Sequence, residues 1–156
     1  MTNNDPSWIT TYVSKQNNKN NPPSSGDDGF RIALNGAEAT DSHDTETIGY
    51  IILEAGYGEV AGIKYDAKQT SDSVRGFANS PPYNTAFSRS FDEISSVFVS
   101  TQLEMDGGDG GWIVNYSVSQ THAGLMVDED QEKDNDRSHA NETCGFLAFK
   151  TVGSYQ

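Results

Sequence analysis

The sequence predicts an all-β protein, and more specifically an antiparallel β-sandwich with an internal duplication. Three observations support this prediction. Short runs of alternating or continuous apolar residues recur along the chain, and residues typical of turns separate them. The 156 residues include 15 glycines and 5 prolines, and no segment has the periodicity of an amphipathic helix. Many short strands joined by turns are typical of two sheets packed face to face.

Ten strands are predicted from alternation and from the residues that bound each run. They cover residues 8–16, 30–35, 47–54, 60–66, 74–78, 86–91, 95–104, 112–119, 124–129 and 143–151. Two of them, 47–54 and 143–151, are apolar at consecutive positions rather than at alternate ones. We therefore expect these two strands to be central and covered on both faces.

The internal duplication is read from two similar strings, SHDTETIGY at 42–50 and SHANETCGF at 138–146. Similar pairs of short strings precede them in the same order, although the spacing differs. We predict a single domain over 1–156 with internal repeats at about 8–54 and 94–151. A period near 90 residues is too long for a solenoid and suits two related half-sheets.

A histidine and a glutamate recur three residues apart at the end of each copy, as His43 with Glu46 and His139 with Glu142. An imidazole that donates to a carboxylate would hold the chain at the corner before the next strand. We predict a structural role for these four residues. A zinc site would need three or four closely spaced ligands, which this pattern lacks.

Charge and motif content exclude several function classes. With 23 acidic and 10 basic residues, the net charge of −13 disfavours nucleic acid and anionic membranes as partners. No apolar run is long enough to predict membrane insertion. No nucleophile elbow or phosphate loop is present, so we expect a non-enzymatic protein. The single cysteine, Cys144, lies in an apolar run and is expected to be a small buried hydrophobe.

An acidic segment, VDEDQEKDNDRSHANET at 127–143, offers candidate metal ligands: Asp128, Asp130, Asp134 and Asp136. Clustered carboxylates repel one another, so they are either solvated or gathered around a hard cation such as calcium. The spacing of an EF-hand loop is absent. The residues leave both interpretations open.

A second segment, LEMDGGDGGW at 103–112, contains Asp106 and Asp109 among four glycines. The glycines predict a tight connection between strands, whose acidic tip would also reach a cation or a ligand. Trp112, Tyr116 and Tyr83 are candidates for stacking on the C–H faces of sugars. The alternatives are a simple turn and aromatic residues that belong to the core.

The strings FDEISSVFVSTQ, DGGDGGW, GLMVDEDQ and RSHANETCGFLAF resemble a repeat in very large, modular, secreted proteins of marine and environmental bacteria. The resemblance covers 49–149, with the first 48 residues as a partial preceding copy. The order of strands is also similar to the H-type lectin domain, a small antiparallel sandwich that binds sugars. These resemblances imply an extracellular or cell-surface domain, without a visible signal peptide, that binds polysaccharide or glycan. The alternative they imply is a structural or adhesive spacer stabilised by calcium.

Overall fold

The computed structural model describes residues 4, 8–36, 38, 42–94, 97–108 and 110–150. Asp109, a candidate ligand-binding residue, lies outside this set. The described residues form nine strands and no α-helix, so the predicted all-β class is confirmed. The strands are β1 (Ile9–Lys15), β2 (Phe30–Gly36), β3 (Gly56–Val60), β4 (Ile63–Gln69), β5 (Tyr83–Ala86), β6 (Val97–Gln102), β7 (Gly111–Val118), β8 (His122–Glu129) and β9 (Cys144–Phe149).

The strands form two sheets of unequal width. One has six strands in the order β2-β1-β6-β9-β4-β3, and the other has three in the order β5-β8-β7. Every pairing is antiparallel except that of β1 with β6, which is parallel and matches a single residue pair, Tyr12 with Gln102. The small sheet can therefore cover only part of one face of the large sheet.

The hydrophobic core lies between β9 of the large sheet and β8 of the small one. Because alternate residues of a strand point to opposite faces, β9 contributes Cys144, Phe146 and Ala148, which are almost fully buried. The remaining core residues are Val74, Phe87, Phe91, Ala123, Leu125 and Val127. Cys144 is thus the buried hydrophobe that the sequence predicts, and burial raises the pKa of its thiol above the usual value.

Only one of the two strands predicted to be central is formed. β9 lies between β6 and β4, as expected for 143–151. The prediction for 47–54 is wrong, because this segment belongs to no strand and leaves Ile51 81% and Ile52 66% exposed. The two central places beside β9 are taken by β6 and β4, so the segment has no central place in the large sheet. The segment lies instead over the outer face of the large sheet.

Three other predicted strands are shifted or shortened. A β3–β4 hairpin replaces the strand at 60–66, with Ala61 and Gly62 at positive φ in its turn. Residues 74–78 make two isolated bridges and enter a short 3₁₀ turn at Phe77–Asn79. The strand predicted at 86–91 is not formed, because β5 covers Tyr83–Ala86 and shares only Ala86 with it.

The two halves do not share one strand topology over the described residues. In the first half, β1 pairs directly with β2 in the large sheet. The matching strands of the second half, β6 and β8, belong to different sheets. Similar strings therefore occupy different structural positions in the two halves.

Candidate metal centre and ligand pocket

The glycine-rich connection at 103–110 crosses from β6 in the large sheet to β7 in the small sheet. The segment just before β9 holds it in place. Leu103 N donates to Thr143 O at 2.8 Å, while Asp106 N and Gly107 N donate to Glu142 Oε1 at 3.0 and 2.9 Å. The connection is therefore anchored by a buried side chain rather than closed on itself as a hairpin.

The glycines of this connection allow close approach to the ring of His139. A Cβ atom at Gly107 would collide with the imidazole, and one at Gly111 would lie 2.9 Å from Val127 Cγ1 and 3.2 Å from His139 Cε1. Neither glycine has a positive φ. The sequence predicts these glycines for a tight turn, whereas the structure requires them for packing.

His139 is 4% exposed and contacts two buried glutamates. Its Nε2 lies 3.1 Å from Glu142 Oε1, which is the contact expected from the sequence, and its Nδ1 contacts Glu129 Oε1 on β8. Burial lowers the pKa of His139, but the hydrogen bonds to Glu142 and Glu129 outweigh burial and raise the pKa above its usual value. The ring is thus held between two buried glutamates, and both contacts favour its protonated form.

The corresponding residues of the first half are arranged differently. His43 is half-buried, and its Nδ1 is buried without a hydrogen-bond partner among the residues that the structure describes. Glu46 Oε1 accepts a hydrogen bond from Asn4 N at 2.6 Å. In these contacts, His43 and Glu46 therefore do not reproduce the arrangement of His139 and Glu142.

A group of three carboxylates lies beside Glu142. Asp72, Glu104 and Asp106 each offer an oxygen within 4.8 Å of the others, and no other such group occurs in the described ranges. Burial raises the pKa of Glu104 and of Asp106, and the charges of neighbouring carboxylates raise them further. Asp72, Glu104 and Asp106 could together hold a metal ion, and we call them the acidic cluster.

Glu142 connects the acidic cluster to His139. Its side chain is fully buried; Oε1 receives the N–H groups of Asp106 and Gly107 and contacts His139, whereas Oε2 has no hydrogen-bond partner in the described part of the chain. Its backbone exchanges two hydrogen bonds with Val74, two residues after Asp72. Its charge also helps to raise the pKa of Asp106, whose backbone N–H it accepts.

The four aspartates predicted as metal ligands are not part of the acidic cluster. Each accepts hydrogen bonds from its own surroundings: Asp128 from Arg137 Nη2 at 2.6 Å, Asp130 from Glu132 N at 3.0 Å, Asp134 from Asp136 N at 2.7 Å, and Asp136 from Ser138 N at 2.9 Å. The bond from Ser138 also lowers the pKa of Asp136. These carboxylates order the loop locally, because a short acidic side chain readily accepts the N–H two residues on.

A small pocket of about 130 Å³ lies where β7 meets β1 and β6. Its lining is mostly polar and consists of Thr10, Thr11, Ser100, Thr101, Gln102, Trp112 and Ile113. Trp8 packs against Trp112 with ring centroids 4.5 Å apart and remains 39% exposed. Gln102 is 3% exposed, and its Oε1 is buried without a hydrogen-bond partner in the described ranges. We call this site the tryptophan pocket.

The other aromatic candidates lie elsewhere. Tyr83 packs against the core and its hydroxyl donates to Asn79 O at 2.5 Å, so its ring is not an open platform. Tyr116 is 48% exposed on β7, where a register shift between Asn115 and Ser117 interrupts the ladder. Of the three predicted aromatic residues, only Trp112 lines the pocket.

Sequence reasoning missed four residues of these sites: Asp72, Glu104, Glu129 and Gln102. Glu104 had a local signal, because it alternates with Asp106 directly after a strand. Gln102 also had one, because a polar residue ends a strand that begins with Val97 and Phe98. Glu129 lies in the acidic segment 127–143 with His139, but nothing in the spacing distinguishes it from the neighbouring carboxylates. Asp72 had no local signal, since folding brings it to the site.

No protein-family model matches the chain, and no curated protein or solved structure is similar to it. No helix in the part of the chain that the structure describes is long and apolar enough to cross a membrane.

Proposed function

We propose that the protein is a non-catalytic carbohydrate-binding domain of an extracellular modular protein, with polysaccharide or glycan as its ligand. The observation that carries this proposal is the buried Oε1 of Gln102, which has no hydrogen-bond partner among the described residues and lies in the pocket beside the Trp8–Trp112 pair. A buried acceptor without a donor is unfavourable, and a ligand hydroxyl would satisfy it.

The tryptophan pocket suits the two surfaces of a sugar. The partly exposed indole of Trp8 offers an apolar face to the C–H groups of a pyranose ring. Thr10, on the same face of β1 as the buried Tyr12, and Gln102 offer a hydroxyl and an amide group to the sugar hydroxyls. A pocket of about 130 Å³ admits one sugar unit at most, so the rest of a glycan would lie outside the pocket.

A glycan array probed with the labelled protein tests this function, followed by calorimetry on the best sugar. We expect Trp8→Ala and Gln102→Leu each to weaken binding by about tenfold, which corresponds to about 1.4 kcal/mol. Tyr50→Ala is the matched control, because Tyr50 is an exposed aromatic residue on the other face of the large sheet. Absence of binding to every glycan, or equal losses in the control, would reject the proposal.

The acidic cluster favours a second candidate, a structural or adhesive spacer stabilised by calcium. Three carboxylates form an all-oxygen ligand set, which suits a hard cation, and calcium accepts the irregular geometry and additional water or carbonyl ligands that magnesium tolerates poorly. Under this proposal the cation offsets the repulsion among the carboxylates, and the domain has no ligand of its own.

Thermal melts in calcium and in chelator test the spacer proposal. Only the folded chain gathers the three carboxylates, so calcium at about 100 times its Kd should stabilise the fold by about 2.7 kcal/mol. Asp72→Asn, at an exposed position, should remove this effect, whereas Asp134→Asn should keep it. An unchanged midpoint in calcium would eliminate the spacer proposal and leave the glycan proposal intact.

A further inference from the structure

The acidic cluster and the tryptophan pocket lie at the two ends of one short connection. Gln102, the last residue of β6, and Trp112, the second residue of β7, both line the pocket. Glu104 and Asp106 lie between them in the sequence and contribute two of the three carboxylates of the cluster. A displacement of the connection would therefore affect both sites.

A second observation beyond the cluster itself points to a cation. Glu142 is fully buried, its carboxylate lies against Asp106, and its Oε2 has no hydrogen-bond partner in the described part of the chain. His139 contacts Glu142 through Nε2 and Glu129 through Nδ1. One imidazole ring is therefore shared by two buried carboxylates, and the three carboxylates of the cluster lie on the other side of the connection that Glu142 holds.

We infer that a divalent cation, calcium by its ligand chemistry, binds the acidic cluster with Glu142 as a positioning residue and thereby fixes the geometry of the tryptophan pocket. This inference rests on the proposed function only in assigning the pocket to glycans. Glu142 holds the N–H groups of Asp106 and Gly107, so the cation and the buried anchor constrain the same residues from two sides. Ordering this connection before the ligand arrives reduces the entropy cost of binding the ligand.

The two tryptophans of the pocket are the only tryptophans in the chain, so their emission reports on the pocket without any sugar. The experiment titrates calcium chloride into the chelator-treated protein and records tryptophan fluorescence and calorimetric heat in parallel. We expect one saturable change in emission that has the same midpoint as the heat. Magnesium should give a weaker response, because it demands near-ideal octahedral geometry.

Asp72→Asn should weaken calcium affinity by about tenfold or more and shift both midpoints together, since ligand charge sets affinity in oxygen sites. Glu142→Gln should weaken it by about 10–100-fold, as expected for a residue that orients ligands. Asp134→Asn, which removes an exposed aspartate outside the cluster, should change neither midpoint.

Three outcomes would overturn the inference. Absence of saturable heat would show that no cation binds. Saturable heat without a change in fluorescence would show that cation binding does not alter the tryptophan pocket. If Asp134→Asn weakens calcium affinity as much as Asp72→Asn does, calcium acts by screening the net negative charge and not at the acidic cluster. If no glycan on the array binds but the fluorescence change still requires the acidic cluster, the glycan function is rejected and the coupling between the cluster and the pocket stands.

Discussion

At the scale of single residues, the sequence repeats a histidine and a glutamate three residues apart, and the second copy, His139 with Glu142, forms a buried contact. The pair of His139 and Glu142 is predictable, because the two residues are three apart and precede a strand. Glu129 lies in the same acidic segment, but only the folding of β8 selects it from the neighbouring carboxylates as the second partner of the ring. Local spacing thus reveals half of this site, and tertiary packing supplies the other half.

Removing the imidazole should destabilise the protein strongly. His139→Ala leaves Glu129 and Glu142 buried without the imidazole that they share, and a buried pair that loses one partner costs about 3–5 kcal/mol. Urea denaturation followed by circular dichroism measures the change. His43→Ala is the matched control, since the Nδ1 of His43 has no hydrogen-bond partner among the described residues, and it should cost less than about 1 kcal/mol. Similar losses in the two variants would contradict this account.

The same residue predicts a pH dependence. The pKa of His139 is raised in the folded state, so its stabilising contribution is fully present below about 6.5, the unfolded value, and is lost as pH rises through the higher folded pKa. We expect the free energy of unfolding to fall above about pH 6.5. Denaturation curves in chelator, compared with those of His139→Gln, measure this decline. If the free energy of unfolding of His139→Gln falls with pH as steeply as that of the wild type, another group causes the decline.

At the scale of elements, the segment 47–54 shows where sequence patterns fail. Like β9, it is apolar at consecutive positions, so the sequence pattern alone predicts two central strands. A central strand also needs a partner on each side, and the places beside β9 are taken by β6 and β4. The competition among strands for edges is a property of the whole sheet, and no local window of sequence contains it.

Substitutions test directly whether the segment 47–54 is exposed. Ile51 is 81% exposed, so Ile51→Lys should change the free energy of unfolding by less than about 0.5 kcal/mol. Leu125, in contrast, is fully buried in β8, and Leu125→Ala should cost about 2–5 kcal/mol. Denaturant titration of both variants measures these values. A large loss in Ile51→Lys would show that 47–54 is a buried strand after all.

At the scale of the whole molecule, the net charge of −13 affects stability as well as partner choice. Folding brings these charges together, and their repulsion is largest at low ionic strength. Raising sodium chloride from about 10 to 150 mM shortens the screening length from about 30 to 8 Å. We expect Tm to rise by about 3 °C, which corresponds to roughly 1 kcal/mol for a domain of this size.

Calorimetry or a dye-based melt at several salt concentrations measures this rise. Choline chloride at equal ionic strength is the control, because screening does not depend on the identity of a monovalent cation. A response to sodium alone would indicate a specific ion site, and a falling midpoint would contradict the role of repulsion.

The central position of β9 also determines the order in which the chain can fold during synthesis. β6 and β4 do not pair with each other; each pairs with β9, so the hairpin of β3 and β4 joins β1, β2 and β6 only through this late strand. A nascent chain on the ribosome holds these two pieces apart until residues 144–149 have emerged from the exit tunnel. Until then, the edges of β6 and β4 stay open to other chains, and chaperones would have to protect them.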